Sequence, residues 1–264
     1  MGVINVTPDS FSDGGRFASN EAAVAHALRM IDEGAGLIDV GGESTRPGAQ
    51  AVDAEEEIRR VVPVIEALAA RTEVPISIDT SKPAVMTAAV CAGARMINDV
   101  RALREPGAIE AAAKTDAAIC LMHMQGEPRT MQVEPRYGDV VVEVRDFLSE
   151  RAQACLARGI AKDRLLIDPG IGFGKRLEHN LALLAGLPAL TALGWPVLVG
   201  VSRKSMFGAL LGRAVDERVA GGVAAVTAAV LAGASVLRTH DVAATVDAVK
   251  VAVALREAGY PRNE

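Results

Sequence analysis

Short apolar runs alternate with amphipathic stretches along the chain. The runs are rich in valine, isoleucine and leucine, which is typical of strands that are buried on both faces of a parallel sheet. The amphipathic stretches between them predict helices, several of which begin at Asn, Asp, Ser or Pro and end at Gly. We predict strands at residues 3–5, 37–40, 75–78, 96–98, 118–122, 165–167, 197–199 and 236–238. We predict helices at residues 20–33, 54–71, 82–92, 105–114, 139–158, 177–187, 217–232 and 242–258.

The alternation decides between two α/β architectures. Eight strand-then-helix units in 264 residues fit a single closed (β/α)8 TIM barrel. A doubly wound sheet would have fewer units and a dinucleotide-binding turn, and neither G-x-G-x-x-G nor G-x-x-x-x-G-K-[ST] occurs. The length alone also allows two domains, but no linker or low-complexity tract divides the chain. We therefore expect one domain over residues 1–264.

Composition narrows the class of protein. Half of the residues are hydrophobic but only 3% are aromatic, so small aliphatic side chains must build the core. The net charge of -5, without a run of basic residues, argues against nucleic acid or an anionic membrane surface as the main partner. Residues 219–237 carry no charge, but their Ala and Gly content predicts a buried helix and a strand, not a membrane span. Three widely spaced cysteines predict neither disulfides nor a zinc site, and favour the reducing cytoplasm.

Polar side chains follow the predicted strands at their C-terminal ends. In a barrel these ends meet at one mouth, where enzymes of this architecture hold their active sites. We therefore expect the side chains to converge although they are far apart in the sequence. They are Asn5, Asp39, Asp79, Asn98, Asp99, His123, Asp168, residues 202–205, Arg238 and His240.

These residues supply both hydrogen-bonding carboxyl and amide groups and cations. Asp79, Asn98 and Asp168 match the hydrogen-bonding edge of an amino-pyrimidinone ring, although each one is also compatible with a helix cap or a salt bridge in the core. The cations Arg46, Arg203, Lys204, Arg238 and His240 predict a locally positive mouth that suits phosphate or carboxylate. His240 alone also fits a core imidazole or a helix cap. Asn5 is placed to share a Mg²⁺ ion with a phosphate.

Glycines mark three loops at the predicted mouth. Residues 170–175, Gly-Ile-Gly-Phe-Gly-Lys, predict a close approach of the backbone to a ligand, with Phe173 at its border. Gly14-Gly15 and Pro47-Gly48 mark two further loops that are able to act as lids.

Eight motifs in this order resemble dihydropteroate synthases over essentially the whole chain. The first two, Asn-Val-Thr-Pro-Asp-Ser-Phe-Ser-Asp-Gly-Gly at residues 5–15 and Asp-Val-Gly-Gly-Glu-Ser-Thr-Arg-Pro-Gly at residues 39–48, are the most specific. The others lie at residues 77–80, 97–99, 121–126, 168–175, 202–205 and 238–241. The resemblance implies a (β/α)8 barrel that condenses 6-hydroxymethyl-7,8-dihydropterin pyrophosphate with 4-aminobenzoate, giving 7,8-dihydropteroate and pyrophosphate by an SN1-like, Mg²⁺-assisted reaction.

The resemblance also implies roles for individual residues. The pterin would be bound by Asp79, Asn98, Met122, Asp168, Lys204 and Arg238, and the pyrophosphate by Asn5, Arg238 and His240, with Mg²⁺ at Asn5. The aminobenzoate would be bordered by Thr45, Arg46, Pro47, Phe173, Lys204 and Ser205. Loop closure would involve Phe11 and Asp13, and catalysis Asn5, Asp79, Lys204, Arg238 and His240. A homodimer formed through the late helices is a further implication.

Two features of the chain are compared with other members of this family. The chain begins at the first strand, so we expect the segment that usually covers the barrel bottom to be absent. Members of the family that are insensitive to sulfonamides carry an inserted residue after the position of Phe173. This chain lacks the insertion, which predicts sensitivity to sulfonamides. The alternatives are a pterin-binding methyltransferase of the same superfamily and a barrel that binds pterin without turning it over. The motifs at residues 7–15 and 202–205 favour the synthase.

Overall fold

Eight parallel strands form the centre of the computed structural model, which describes residues 1–6, 15–44, 52–127 and 130–260, with side chains of the first helix from residue 20. All eight predicted strands are confirmed, with ends that differ from the prediction by at most one residue. They are β1 Gly2–Asn5, β2 Ile38–Gly41, β3 Ile76–Asp79, β4 Met96–Asp99, β5 Ala118–Met122, β6 Leu165–Asp168, β7 Leu198–Gly200 and β8 Val236–Arg238.

The strands close into a barrel. Strands β1 to β6 pair in sequence order, and β7 pairs with β8. Single parallel bridges join the two groups, between Ile167 and Val197 on one side and between Gly2 and Thr239 on the other. The predicted (β/α)8 TIM barrel is therefore correct. The prediction of one domain over residues 1–264 includes residues outside the described ranges and stays a prediction.

Helices follow the strands around the barrel. They are α1 Gly15–Asp32, α2 Ala54–Ala69, α3 Pro83–Cys91, α4 Ala108–Ala113, α5 Val140–Leu156, α6 Leu177–Ala185, α7 Leu187–Thr191, α8 Ser205–Leu211, α9 Val219–Leu231 and α10 Val242–Glu257. Side-chain caps explain two of the starts. Asp53 accepts a hydrogen bond from Glu56 N at 2.7 Å, and Asp139 accepts one from Val141 N at 2.9 Å.

The sequence did not predict α7 and α8. Helix α7 continues the apolar pattern of α6 after a single residue, Gly186, and carries Pro188 in its first turn. Helix α8 begins within the motif at residues 202–205, which the sequence suggests is a loop. Helix α4 is shorter than predicted because Gly107, directly before its first residue, is itself in the left-handed conformation with φ 82°.

The alternation of side chains along the strands divides the barrel interior into two layers. Met96, Cys120 and Leu198 pack with Leu166 and Val236 into an apolar floor. Two residues further along β4, β6 and β8 the same face carries Asn98, Asp168 and Arg238. The interior is thus apolar below and polar at the C-terminal ends of the strands.

No helix within the described part of the chain is long and apolar enough to cross a membrane. The uncharged stretch at residues 219–237 divides into α9 and β8, as predicted.

Candidate active site

One arginine ties together the acidic groups of the barrel mouth. Arg238, at the end of β8, donates from Nε to Asp39 Oδ2 at 2.7 Å and from Nη2 to Asp79 Oδ2 at 2.8 Å. Asn98 donates from Nδ2 to the same oxygen of Asp39 at 3.1 Å. The other oxygen of Asp39, Oδ1, is buried and accepts from no group in the described residues. Strands β2, β3, β4 and β8 therefore place an amide, two carboxylates and a guanidinium within one hydrogen-bonded cluster.

Burial changes the acidity of these carboxyls. It raises the pKa of Asp79 to about 7, against the opposing effect of Arg238. Burial also raises the pKa of Asp168, although Gly170 N donates to its Oδ1 at 2.7 Å and Lys204 lies nearby. Two carboxyls at this mouth thus have pKa values above the ordinary range, which suits groups that exchange hydrogen bonds or protons with a heterocycle.

Lys204 stands on the opposite side of the mouth, immediately before α8. Its Nζ donates to Ile171 O and lies 4.8 Å from the centre of the Phe173 ring. Burial lowers its pKa to about 8, while the carboxyl of Asp168 opposes the shift. Lys204 is therefore a cation held between an aromatic face and an acid.

His240 is connected to the loop after β7. Its backbone N donates to Ser202 Oγ at 3.1 Å, and its Nδ1 lies 3.2 Å from the same oxygen. Ser202 also contacts Asp241 Oδ2 at 3.3 Å. His240 therefore lies two residues after the end of β8, and its ring contacts the loop after β7.

Arg203 differs from the predicted set of ligand-binding cations. Its Nε and Nη2 donate to Asp241 at 3.2 and 2.5 Å, and its side chain is 41% exposed. The φ of 59° at Arg203 turns the chain between β7 and α8, which directs this side chain and Lys204 differently. The charge of Arg203 is paired within the protein, so the expectation that it adds to a positive mouth is wrong.

The remaining described residues of the prediction line the same mouth. Asn5 and Asp79 flank Gly41, where an added Cβ would lie 3.7 Å from Asn5 Oδ1 and 3.6 Å from Asp79 Cβ. Met122 is buried in an apolar wall with Val100, Met124 and Met131, against which Phe173 packs. Ser205 is the first residue of α8 and is exposed. Five predicted site residues lie outside the described residues, namely Phe11, Asp13, Thr45, Arg46 and Pro47.

Known proteins match both the sequence and the fold. The family described as "Pterin binding enzyme" matches residues 1–240. The dihydropteroate synthase of Escherichia coli K12 is 55% identical over 251 residues, which cover 95% of this chain and 89% of the relative. The chain belongs to the dihydropteroate synthase family.

Solved dihydropteroate synthases share the whole barrel. A Yersinia pestis dihydropteroate synthase in complex with a sulfonamide drug superposes with a TM-score of 0.93 and 54% identity, and the match covers 97% of this chain and 94% of that one. A Xanthomonas albilineans dihydropteroate synthase with 4-aminobenzoic acid gives a TM-score of 0.92 and 58% identity over 99% of this chain and 93% of that one.

Sequence reasoning gave no role to three polar residues near the dihydropteroate synthase motifs. Asp39 lies within β2 and accepts from Arg238, and an acid inside an apolar strand was the available signal. His123 and Lys175 are 7% and 3% exposed and contact each other at 3.0 Å behind the glycine-rich loop. His123 was marked by its place after a predicted strand, but Lys175 was marked only by its place in a motif, because nothing in a sequence shows that a lysine is buried.

The fit of a metal ion to this member of the dihydropteroate synthase family rests on Asn5. No group of three or more His, Cys, Asp or Glu side chains in the described ranges is arranged to hold a metal ion. Mg²⁺ commonly takes one or two protein ligands and completes its shell with phosphate oxygens and water. The amide of Asn5 at the mouth therefore fits Mg²⁺ that arrives together with a phosphate-bearing substrate.

Proposed function

We propose that the chain is a transferase that condenses 6-hydroxymethyl-7,8-dihydropterin pyrophosphate with 4-aminobenzoate, giving 7,8-dihydropteroate and pyrophosphate for folate synthesis. The observation that carries the proposal is the cluster of opposite charges at one mouth. Asp79 and Asp168 supply buried carboxyls, and each has a cation beside it, Arg238 next to Asp79 and Lys204 next to Asp168. A flat, donor-rich ring that bears a pyrophosphate needs both.

The pterin edge would lie against Asp79, Asn98 and Asp168. Carboxylates accept from the ring N–H and amino groups, and the Asn98 amide both accepts and donates. Met122 would cover one ring face with an apolar surface, and Arg238 and Lys204 would approach the ring from the other strands. The match of acceptors to ring donors fixes the orientation of the pterin methylene carbon.

The reaction would begin with cleavage of the bond between the methylene carbon and the pyrophosphate oxygen. The electron pair leaves with pyrophosphate, where Asn5, Arg238 and His240 would hold the developing negative charge. Mg²⁺ bound at Asn5 and the phosphates would supply further charge neutralisation. The carboxyls of Asp79 and Asp168 favour the more positive pterin that remains.

The amine of 4-aminobenzoate would then attack the methylene carbon and lose a proton. Phe173, Lys204 and Ser205 would border this second substrate, together with Thr45, Arg46 and Pro47. The loops that carry Phe11 and Asp13 would close over the site and exclude water, which competes with the amine for the same carbon. A Xanthomonas albilineans relative in complex with 7,8-dihydropteroate, 55% identical with a TM-score of 0.89, supports this product.

Pyrophosphate release tests the proposal. We expect release only when the pterin pyrophosphate, 4-aminobenzoate and Mg²⁺ are all present, and loss of about a hundredfold in kcat/KM in Lys204→Ala. Lys162→Ala is the matched control, because this exposed lysine lies at the opposite end of the barrel, 5.6 Å from the Trp195 ring.

Two results would contradict the proposed reaction. A folded protein that binds the pterin pyrophosphate without releasing pyrophosphate would point to a binding barrel. Methyl transfer to a corrinoid would point to a methyltransferase. Near-normal kcat/KM in Lys204→Ala would remove Lys204 from the site.

The assembly and location are separate parts of the proposal. We infer a homodimer formed through the late helices, where Val251 and Leu255 of α10 lie one turn apart and are 58% and 41% exposed. Sedimentation of the purified protein distinguishes the dimer from a monomer. A cytoplasmic location follows from the scattered cysteines, and cell fractionation tests it.

A further inference from the structure

Side chains hold the backbone of the loop after β6. This loop, residues 170–175, is the glycine loop. Each of its first five carbonyl groups accepts a hydrogen bond from a side chain. Lys175 Nζ donates to Gly170 O at 2.9 Å and to Phe173 O at 3.0 Å, Lys204 Nζ donates to Ile171 O, Gln132 Nε2 donates to Gly172 O at 2.6 Å, and Tyr137 Oη donates to Gly174 O at 2.8 Å. The path of the loop is therefore set by its surroundings.

Lys175 makes the largest number of these contacts and is almost completely buried. Its Nζ also lies 3.0 Å from His123 Nδ1 and 3.3 Å from His123 O. Burial lowers the pKa of His123 to about 3, so its ring is neutral and its Nδ1 is able to accept. Burial lowers the pKa of Lys175 to about 7, but three carbonyls and this nitrogen surround its protons. The lysine thus joins both ends of the glycine loop to the residue that follows β5.

The glycine loop has no room to move toward β5. A Cβ at Gly170, where φ is 65°, would lie 1.9 Å from His123 O. A Cβ at Gly174, where φ is 61°, would lie 2.3 Å from Gln125 O. The glycines allow the close approach, and the Lys175 ammonium fills the space enclosed by the turn.

The same loop positions two groups of the site. Ile171 O accepts from Lys204 Nζ, and the Phe173 ring lies 4.8 Å from that nitrogen. A shift of the glycine loop would therefore move the aromatic face and the cation together. Asp79 and Asn98 stand on β3 and β4, and none of their hydrogen bonds in the described structure runs through this loop. Of the proposed pterin carboxyls, Asp168 contacts the loop directly, because Gly170 N donates to its Oδ1 at 2.7 Å, but Asp168 itself belongs to β6.

We propose that Lys175 is a positioning residue for the second substrate: through His123 it holds the glycine loop so that Phe173 and Lys204 face 4-aminobenzoate. The assignment rests on the proposed function, because it presumes that this side of the mouth binds the amine. It gives Lys175 no contact with either substrate. Its loss should therefore weaken the binding of 4-aminobenzoate more than the binding of the pterin pyrophosphate.

Lys175→Met tests the assignment, because methionine keeps an unbranched chain and removes the donors. We expect the KM for 4-aminobenzoate and the inhibition constant of a sulfonamide to rise together by about ten- to a hundredfold, the range that a small misplacement of binding groups costs. The KM for the pterin pyrophosphate should rise much less, by up to about threefold, because Asp79 and Asn98 have no contact with the loop and Asp168 is held by β6 as well as by Gly170 N. Lys162→Met is the control and should leave both constants unchanged.

Tyr137→Phe gives a second measurement if Lys175→Met does not fold. It removes only the hydroxyl that donates to Gly174 O and keeps the ring contact with His179 at 4.9 Å. We expect a rise of about threefold in the KM for 4-aminobenzoate alone, since one neutral hydrogen bond is lost. Equal changes for both substrates, or no change for either, in a folded variant would overturn the assignment. Absence of pyrophosphate release by the unaltered protein would instead overturn the proposed function.

Discussion

Asp39 accepts a hydrogen bond from Arg238 at 2.7 Å across 199 positions of the chain. The carboxylate is fully buried, and the guanidinium is 22% exposed. Asp39→Ala removes one of the two carboxyls that pair with Arg238 and leaves the buried Asn98 amide without this acceptor, so we expect it to lower the free energy of unfolding by about 3 kcal/mol. Urea denaturation measures the change.

The control for Asp39→Ala is a surface pair. Glu110 and Arg158 form an ion pair in which both side chains are more than half exposed. Glu110→Ala should lower the free energy of unfolding far less than Asp39→Ala does, because water screens the exposed pair. An equal loss in the two variants would show that burial of the Asp39 pair has no energetic consequence.

Asp79 makes the stability of the protein depend on pH. Its pKa is about 7 in the folded state and 3.8 in the reference state, so between these values the folded protein holds a proton that the unfolded chain has lost. The contribution of Asp79 to stability is complete below about pH 4 and is lost as the pH rises through 7. In Asp79→Asn this loss should be absent, and the free energy of unfolding should fall less steeply from pH 4 to 7.

The comparison between Asp79→Asn and the unaltered protein isolates this group, because the other buried acids stay in both. Denaturant unfolding at pH 5, 6 and 7 is the measurement. Parallel stability curves would mean that Asp79 titrates at its ordinary value.

Alanine substitutions at Gly170 and Gly159 distinguish the cost of backbone strain from the cost of steric overlap. Both have positive φ, at 65° and 82°, but a Cβ would meet His123 O at 1.9 Å at the first position and nothing within 4 Å at the second. Gly159→Ala should cost about 1–2 kcal/mol from backbone strain alone. Gly170→Ala should cost at least about 3 kcal/mol, the range of severe core changes. Equal unfolding midpoints for the two variants would contradict the tight seating of the loop.

Sulfonamides should inhibit this protein in competition with 4-aminobenzoate. The chain continues directly from Phe173 to Gly174 and Lys175, without an additional residue, so the Phe173 ring stays beside Lys204. Initial rates at several concentrations of both compounds are the measurement, with the pterin pyrophosphate varied as the control. Activity that persists in a large excess of sulfonamide would contradict the prediction.

The strands and most helices were predictable because their signal is local. Val, Ile and Leu runs mark the strands, and Asp53 and Asp139 mark two helix starts. Polar residues at strand ends also identified Asp79, Asn98, Asp168 and Arg238, since barrel geometry brings these ends together.

Pairing inside the site was not predictable from sequence. Arg203 and Lys204 are neighbours in one motif, but a positive φ at Arg203 directs one to Asp241 and the other to the mouth. The burial of Lys175 likewise depends on His123, which is 52 positions away. Such contacts follow from tertiary packing, which periodicity does not encode.

Single parallel bridges join the six-stranded part of the barrel to the β7–β8 pair on each side. Oppositely charged side chains face each other at both of these joints. Arg238 of β8 reaches past β1 to Asp39 of β2, and Lys204, after β7, lies near Asp168 of β6. The strand pair β7–β8 thus contributes the cations and the six-stranded part contributes the acids. The groups that would recognise the substrates therefore also attract the two parts of the sheet to each other, so a substitution that neutralises the site weakens the closure of the barrel as well.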